Sequence, residues 1–284
     1  MRRQWAAGMM IGVAAVMTAL AGAVAGERTS GDWAMQRSDV PGTVMFSLHG
    51  ASGSHRFHTT TNWSRTEFAG LDFSRTGSRD VRFAVNRDAG RFDFDGVMRD
   101  SAGAGSFEFS PDAQYAQEMS ALGFGGVERH QMAFAIHDVS LSFAREMKNA
   151  NLQDLDTEKL MAFRIHGVTL QFIEGLKAVG LNERDSGTLI AFRIHGVTPE
   201  MVQRVRLAGY TPESKELIAM RIHGATPEWM DELKARGYDG VGLDQLVAFR
   251  IHGVTPEYIG QLQSRGLKNL TIDKLVSMKI HGID

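Results

Sequence analysis

Leu189-Ile190-Ala191-Phe192-Arg193-Ile194-His195-Gly196-Val197-Thr198-Pro199-Glu200 decides the fold, because it reads as the end of one helix and the start of the next. Ile190 and Ile194 stand four apart and Leu189 and Phe192 three apart, the spacing of one apolar helix face. Gly196 occupies the place where a left-handed residue ends a helix. Thr198 then suits an N-cap, Pro199 the first helical position and Glu200 the electropositive first turn. Val197 and Val202 are spaced as a hydrophobic staple, as are Ala225 with Met230 and Val254 with Ile259. A second helix follows, apolar at Met201, Val202, Val205 and Ala208, and closing at Gly209. Gly180, Gly237 and Gly266 match that stop, each followed by Leu or Tyr, as a Schellman cap requires.

The motif recurs. Its histidines fall at His137, His166, His195, His223, His252 and His281, at intervals of 29, 29, 28, 29 and 29 residues. A period of this length marks a repeat architecture, in which a single helical hairpin cannot bury its apolar face and stacked copies can. The first copy is degenerate, with Ala135 for Arg, Asp138 for Gly and Ser140 for Thr. The last ends at Gly282-Ile283-Asp284, a half-unit suited to capping a stack.

The repeated polar residues have bland and functional interpretations. Each histidine sits in the last helical turn, where an imidazole bonds free carbonyls and, if charged, complements the helix dipole. Charged caps of that kind make stability fall as pH rises through the folded-state pKa. Equivalent histidines in neighbouring repeats are about 10 Å apart, too far to share a metal. Arg164, Arg193, Arg221 and Arg250 form a cationic series continued by Lys279, and Glu200, Glu228 and Glu257 recur in phase to neutralise it. These arginines and glutamates are the candidate binding residues.

Upstream the apolar period falls to two. Val44-Phe46-Leu48, Val81-Phe83-Val85, Phe92-Phe94 and Phe107-Phe109 alternate with polar or small residues, the pattern of strands with one buried face. Arg87-Asp88-Ala89-Gly90 and Ala102-Gly103-Ala104-Gly105 punctuate them. In the hairpin of 81–85 with 91–95, inward residues are odd on one strand and even on the other. The loop is therefore of even length, near Asp88-Ala89, and Arg82 shares the outer face with Asp93 and Asp95. If 43–49 pairs with 54–60, His55 points inward while His49 and His58 point outward, so the three do not converge on a metal. A helix from about Pro111 to Leu122, apolar at Tyr115, Met119 and Leu122, closes this domain, and Gly123-Phe124-Gly125-Gly126 reads as a linker.

At the amino end, Arg2-Arg3, an apolar stretch from Ala6 to about Ala25 and the small-x-small end Ala23-Val24-Ala25 have the order of a signal peptide. A retained anchor helix is the rival. The chain as a whole predicts an α+β protein. Residues 1–25 are a signal peptide, 28–126 a small antiparallel β domain with a closing helix, and 127–284 five and a half helical hairpin repeats in a solenoid-like array.

Net charge of −2 argues against nucleic acid as a main partner. The absence of cysteine excludes disulfides, thiolate metal sites and a cysteine nucleophile. No His-Glu-x-x-His, Gly-x-Ser-x-Gly or phosphate-cradling loop occurs, so no catalytic residue, cofactor or metal is assigned. The Leu-Ile-Ala-Phe-Arg-Ile-His-Gly-Val-Thr-Pro-Glu unit resembles repeats of exported bacterial proteins, among them the extracytoplasmic tails of some membrane metallopeptidases of the beta-lactam-sensor type. The resemblance covers about residues 127–284, and residues 81–126 look like a β module that travels with such repeats. The peptidase zinc motif is missing, so the resemblance implies a role in envelope sensing rather than proteolysis. The expectation is a periplasmic or secreted module that binds a protein or peptide in the cell envelope, with no membrane span after signal cleavage. Two alternatives stand beside it. One is a hydrolase or metal-dependent enzyme at the β–α junction, near Glu128, His130, His137 and Asp138; the other is a purely structural envelope protein.

Overall fold

The structure, a computed structural model, describes residues 29–52, 55–68 and 70–283. The signal-peptide segment lies outside them. The chain is α+β, and it divides into two compact units. One runs to Asn151 and includes Leu155–Ile165; the other comprises Leu152–Asp154 and His166–Asp284.

The first unit is built on six antiparallel strands, β1 (Thr29–Arg37), β2 (Thr43–Ser52), β3 (His55–Ser64), β4 (Ser78–Arg87), β5 (Gly90–Arg99) and β6 (Ala102–Pro111). Their order is β3-β2-β1-β6-β5-β4, two three-stranded meanders joined through β1 and β6. Alternation places Val44, Phe46, Leu48, Phe83, Val85, Phe92, Phe94, Phe107 and Phe109 in the core, as their spacing predicts. The β4–β5 turn has two residues, Asp88 and Ala89, with Arg87 opposite Gly90. Arg82 lies opposite Asp95 and bonds it at 2.6 Å, whereas Asp93 is taken by Arg91 on its own strand.

The sheet curls strongly. In a flat sheet β3 and β5, four positions apart, would be roughly 19 Å distant. Instead the rings of Trp63 on β3 and Phe92 on β5 are 5.7 Å apart, and Phe46 on β2 lies 5.2 Å from Phe94 on β5. The inner faces of the two meanders therefore meet across one aromatic core.

Two sequence expectations change here. Ala102-Gly103-Ala104-Gly105 is strand, not turn. A Cβ on Gly105 would meet the Asp95 carbonyl oxygen at 2.0 Å, and one on Gly103 would lie 3.0 Å from the Trp33 ring. Gly105 lets the β5 backbone approach and Gly103 makes room for the Trp33 indole, which is a strand role for glycine. Trp33 itself belongs to the central strand β1, whose alternation has only Trp33 and Met35 as large buried residues and so gives little periodic signal. The segment 123–126 is anchored rather than free, because Phe124 is buried and its N–H bonds Met119 O.

Helix α1 (Ala113–Ala121) closes the sheet, followed by α2 (Gln131–Ile136) and α3 (Leu141–Asn149), the degenerate first hairpin. This hairpin packs on the sheet, so the compact unit extends well past residue 126. Tyr115 donates to Val139 O, Trp63 Nε1 to Ile136 O and Gln131 Nε2 to Ala89 O.

Next come α4 (Thr157–His166), α5 (Leu170–Ala178), α6 (Ser186–His195), α7 (Pro199–Leu207), α8 (Ser214–His223), α9 (Pro227–Ala235), α10 (Leu243–His252), α11 (Pro256–Ser264) and α12 (Ile272–Ile280). In the second unit first helices stack on first helices, α6 on α8 on α10 on α12, and α5, α7 and α9 stack likewise. That is a two-layer solenoid. Pairs three apart fill the first layer: Leu189 with Phe192, Leu217 with Met220, Leu246 with Phe249 and Leu275 with Met278, all buried. The second layer contributes Met201, Val202 and Val205 and their equivalents, whereas Ala208, expected inside, is exposed. Thr169, Thr198, Thr226 and Thr255 each accept a backbone N–H as N-caps, and Gly196, Gly224 and Gly253 end the first helices at φ between 72° and 74°. Among the described residues no helix is long and apolar enough to cross a membrane.

Candidate binding surface

The repeated arginine, rather than the repeated histidine, satisfies the carbonyls at the helix ends. Arg193 Nε donates to His166 O (3.2 Å), Arg221 Nε to His195 O (3.0 Å) and Arg250 Nε to His223 O (3.1 Å). Arg164 does the same to His137 O in the first unit. Each arginine thus caps the matching helix of the preceding repeat and brings a positive charge to its negative end. The guanidinium also covers the terminal glycine. A Cβ on Gly196 would meet Arg221 Nη2 at 2.7 Å, and one on Gly224 would meet Arg250 Nη2 at 2.8 Å. The same guanidinium stacks on an aromatic ring of the intervening helix: Arg164 on Phe143, Arg193 on Phe172 and Arg250 on Trp229, at 5.0–5.2 Å. Lys279 lies 4.4 Å from the Tyr258 ring. At Arg221 the equivalent residue is Met201, and the ring is missing.

Of the expected Arg–Glu neutralisation, the charge of Arg250 acts on Glu257, together with that of Arg236, while Glu228 turns to another arginine. The glutamates sit in first turns, where their carboxyls are held below the usual range. Their own backbone N–H and the hydroxyl of Thr198 do this for Glu200, and likewise Thr226 for Glu228. For Glu257 the Thr255 hydroxyl comes first. Glu228 also pairs with Arg204, a residue of α7 outside the repeated series. Of the repeated histidines, His281 makes the expected cap, Nδ1 to Ser277 O at 2.7 Å.

What the ladder leaves open is an isoleucine stripe. Ile194, Ile222, Ile251 and Ile280 follow the repeated Arg or Lys, and they are 46%, 44%, 54% and 58% exposed. The expected partnership of Ile194 with Ile190 therefore fails: Ile190 is buried and Ile194 faces solvent. Helical spacing identifies a face, but it does not locate the edge of that face, and this isoleucine lies beyond it. In the first hairpin the equivalent Ile136 is 2% exposed, on a helix packed against β5 and β6. The position is thus covered at Ile136 against the sheet, half-covered at Ile165 and open through the second unit.

Comparison with protein-family models, with curated proteins and with solved structures gives no match for this chain.

Of the residues considered for an enzyme at the β–α junction, Asp138 is held by two arginines. The Asp138 carboxylate bridges Arg87 (2.7 Å) and Arg164 (2.8 Å), and Arg87, nearly buried, also pairs with Glu67 and lies over Trp63. Burial drives the His137 pKa down to about 4, helped by Arg164, and burial also lowers His130. Among the described residues no group of three or more His, Asp or Glu could hold a metal. Open hollows occur among the described residues. One, about 320 Å³, lies beside α7 and α9 and includes Leu207, Tyr210, Pro227 and Met230. Another, about 580 Å³, is a trough on the outer sheet face with Asp32, Asp93, Asp95 and Glu108 around it.

Proposed function

We propose that this chain is a binding module that acts outside the cytoplasm, and that its repeat array receives an extended segment of another protein in the cell envelope. The observation that carries this reading is the isoleucine stripe, four half-exposed apolar residues at one repeat position. Single exposed apolar residues are ordinary, but a periodic row of them marks an interaction surface. The flanking arginines spend Nε on the preceding helix and remain solvent-exposed, which favours a segment carrying carboxylates. Stacked helices are about 10 Å apart. Three residues of an extended polyproline-type strand advance roughly 9 Å, so the stripe suits a segment with an apolar side chain at every third position. The location rests on the amino-terminal sequence, and the resemblance of the repeats to those of envelope proteins agrees with it.

The test is an affinity capture from an envelope fraction with wild-type protein and an Ile222→Asp/Ile251→Asp variant. Both positions are exposed, so the variant is expected to keep the wild-type circular dichroism and Tm. A captured partner lost from the variant supports the reading. Capture that is the same for both proteins removes the stripe as the binding surface.

A further inference from the structure

We propose that His49 and His58 form a two-imidazole site for a borderline divalent transition metal on the outer face of the sheet. The two residues are directly opposite in the β2–β3 register, and both side chains are exposed. Their rings are 4.1 Å apart between centroids, and Nδ1 of His58 lies 3.0 Å from both ring nitrogens of His49. A hydrogen bond between two imidazoles needs one nitrogen to accept, so a free lone pair is already present at the contact. Two nitrogens bound at 2.0–2.1 Å to one tetrahedral ion are about 3.3 Å apart. A small ring rotation, a few tenths of an ångström and a shift of the donor ring's proton to its other nitrogen therefore convert the contact into a chelate.

The backbone beneath the pair is held firmly, since β2 is paired on both sides, by β1 and by β3. Asp32 stands opposite His49 on β1 and is exposed on the same face, which adds a negative charge beside the ion. Among the described residues no third ligand joins the pair, and the remaining coordination positions are open to water or to a partner's side chain. Alternation along the sequence separates His55 from the other two histidines. It does not reveal that His49 and His58 are cross-strand neighbours, because that depends on the register.

Imidazole ligands favour copper(II), nickel(II) and zinc over magnesium or calcium, with copper tightest. The purified protein is titrated with copper, nickel, zinc and magnesium chlorides, followed by calorimetry and by the shift in Tm. One ion per chain is expected in the order copper, then nickel and zinc, with none for magnesium. Nickel is expected to broaden amide resonances of β2 and β3. His49→Gln and His58→Gln each weaken binding at least tenfold, the double variant is no worse than either, and His281→Gln leaves it unchanged. The metal-free Tm of the two sheet variants matches wild type, which separates lost binding from lost folding. Binding weakened less than tenfold in either sheet variant, or nickel broadening centred on the helices, overturns the site.

Discussion

His137 is held neutral by its surroundings, and that reverses the pH dependence expected of a charged helix cap. Burial comes first and the nearby Arg164 second, and together they bring its pKa from 6.5 to about 4. His166 is lowered in the same direction by burial. A histidine with a depressed folded pKa binds fewer protons folded than unfolded between the two values, so stability falls as pH drops from about 6.5 towards 4. For His137 the loss is at most about 3 to 4 kcal/mol, at 1.36 kcal/mol per pKa unit. Glu200, Glu228 and Glu257 also lose stabilising contacts in acid, but their window opens only below about 4.5. Denaturant midpoints measured from pH 7 to 4.5 therefore isolate the histidine part. His137→Gln is expected to remove much of that slope and leave the smaller part due to His130 and His166, and a wild-type midpoint that rises on acidification would sink the assignment.

At the level of the element, the arginine ladder makes a quantitative comparison possible. Arg250 contributes a charged hydrogen bond to His223 O and a stack on Trp229, whereas Arg221 contributes the bond to His195 O without a ring beneath it. Arg250→Ala is expected to cost about 2 kcal/mol and Arg221→Ala about 1 kcal/mol, the difference being the stacking contribution. Chemical denaturation of the two variants checks the order, and equal losses would remove the ring from the account. In the sheet, Gly105→Ala forces a methyl group into the Asp95 carbonyl, so a loss of more than about 2 kcal/mol is expected in the same assay. The helices, their caps and most strand faces were legible in the sequence because each depends on residues a few positions apart. The ladder was half legible. The recurrence of Arg193, Arg221 and Arg250 was plain, but their carbonyl partners lie 26 or 27 residues back, and only the stacking of repeats brings them together. The strand role of Gly103 and Gly105 was hidden for a similar reason, since it depends on Trp33 of β1 for the first and on the Asp95 carbonyl of β5 for the second.

For the whole molecule the consequence is two kinds of cooperativity in one chain. The first unit has a single aromatic core shared by all six strands, with the first hairpin bound to it through Asp138, Gln131 and Trp63. The second unit is a stack in which each layer meets its neighbours, so its stability is nearly a sum of repeat and interface contributions. Removing α12 by ending the chain at Leu267 takes Leu275 and Met278 from the last layer, Ile283 O from the Tyr258 hydroxyl and Lys279 from the Tyr258 ring. Amide hydrogen exchange on this truncation is expected to show protection lost in α10 and α11, reduced in α8 and α9, and retained in α5 to α7 and in the strands. The gradient is the diagnostic feature, because a one-dimensional stack frays from the end it loses. A uniform loss of protection through every helix and strand would mean that the whole chain unfolds as one unit, and the array would then not behave as a solenoid.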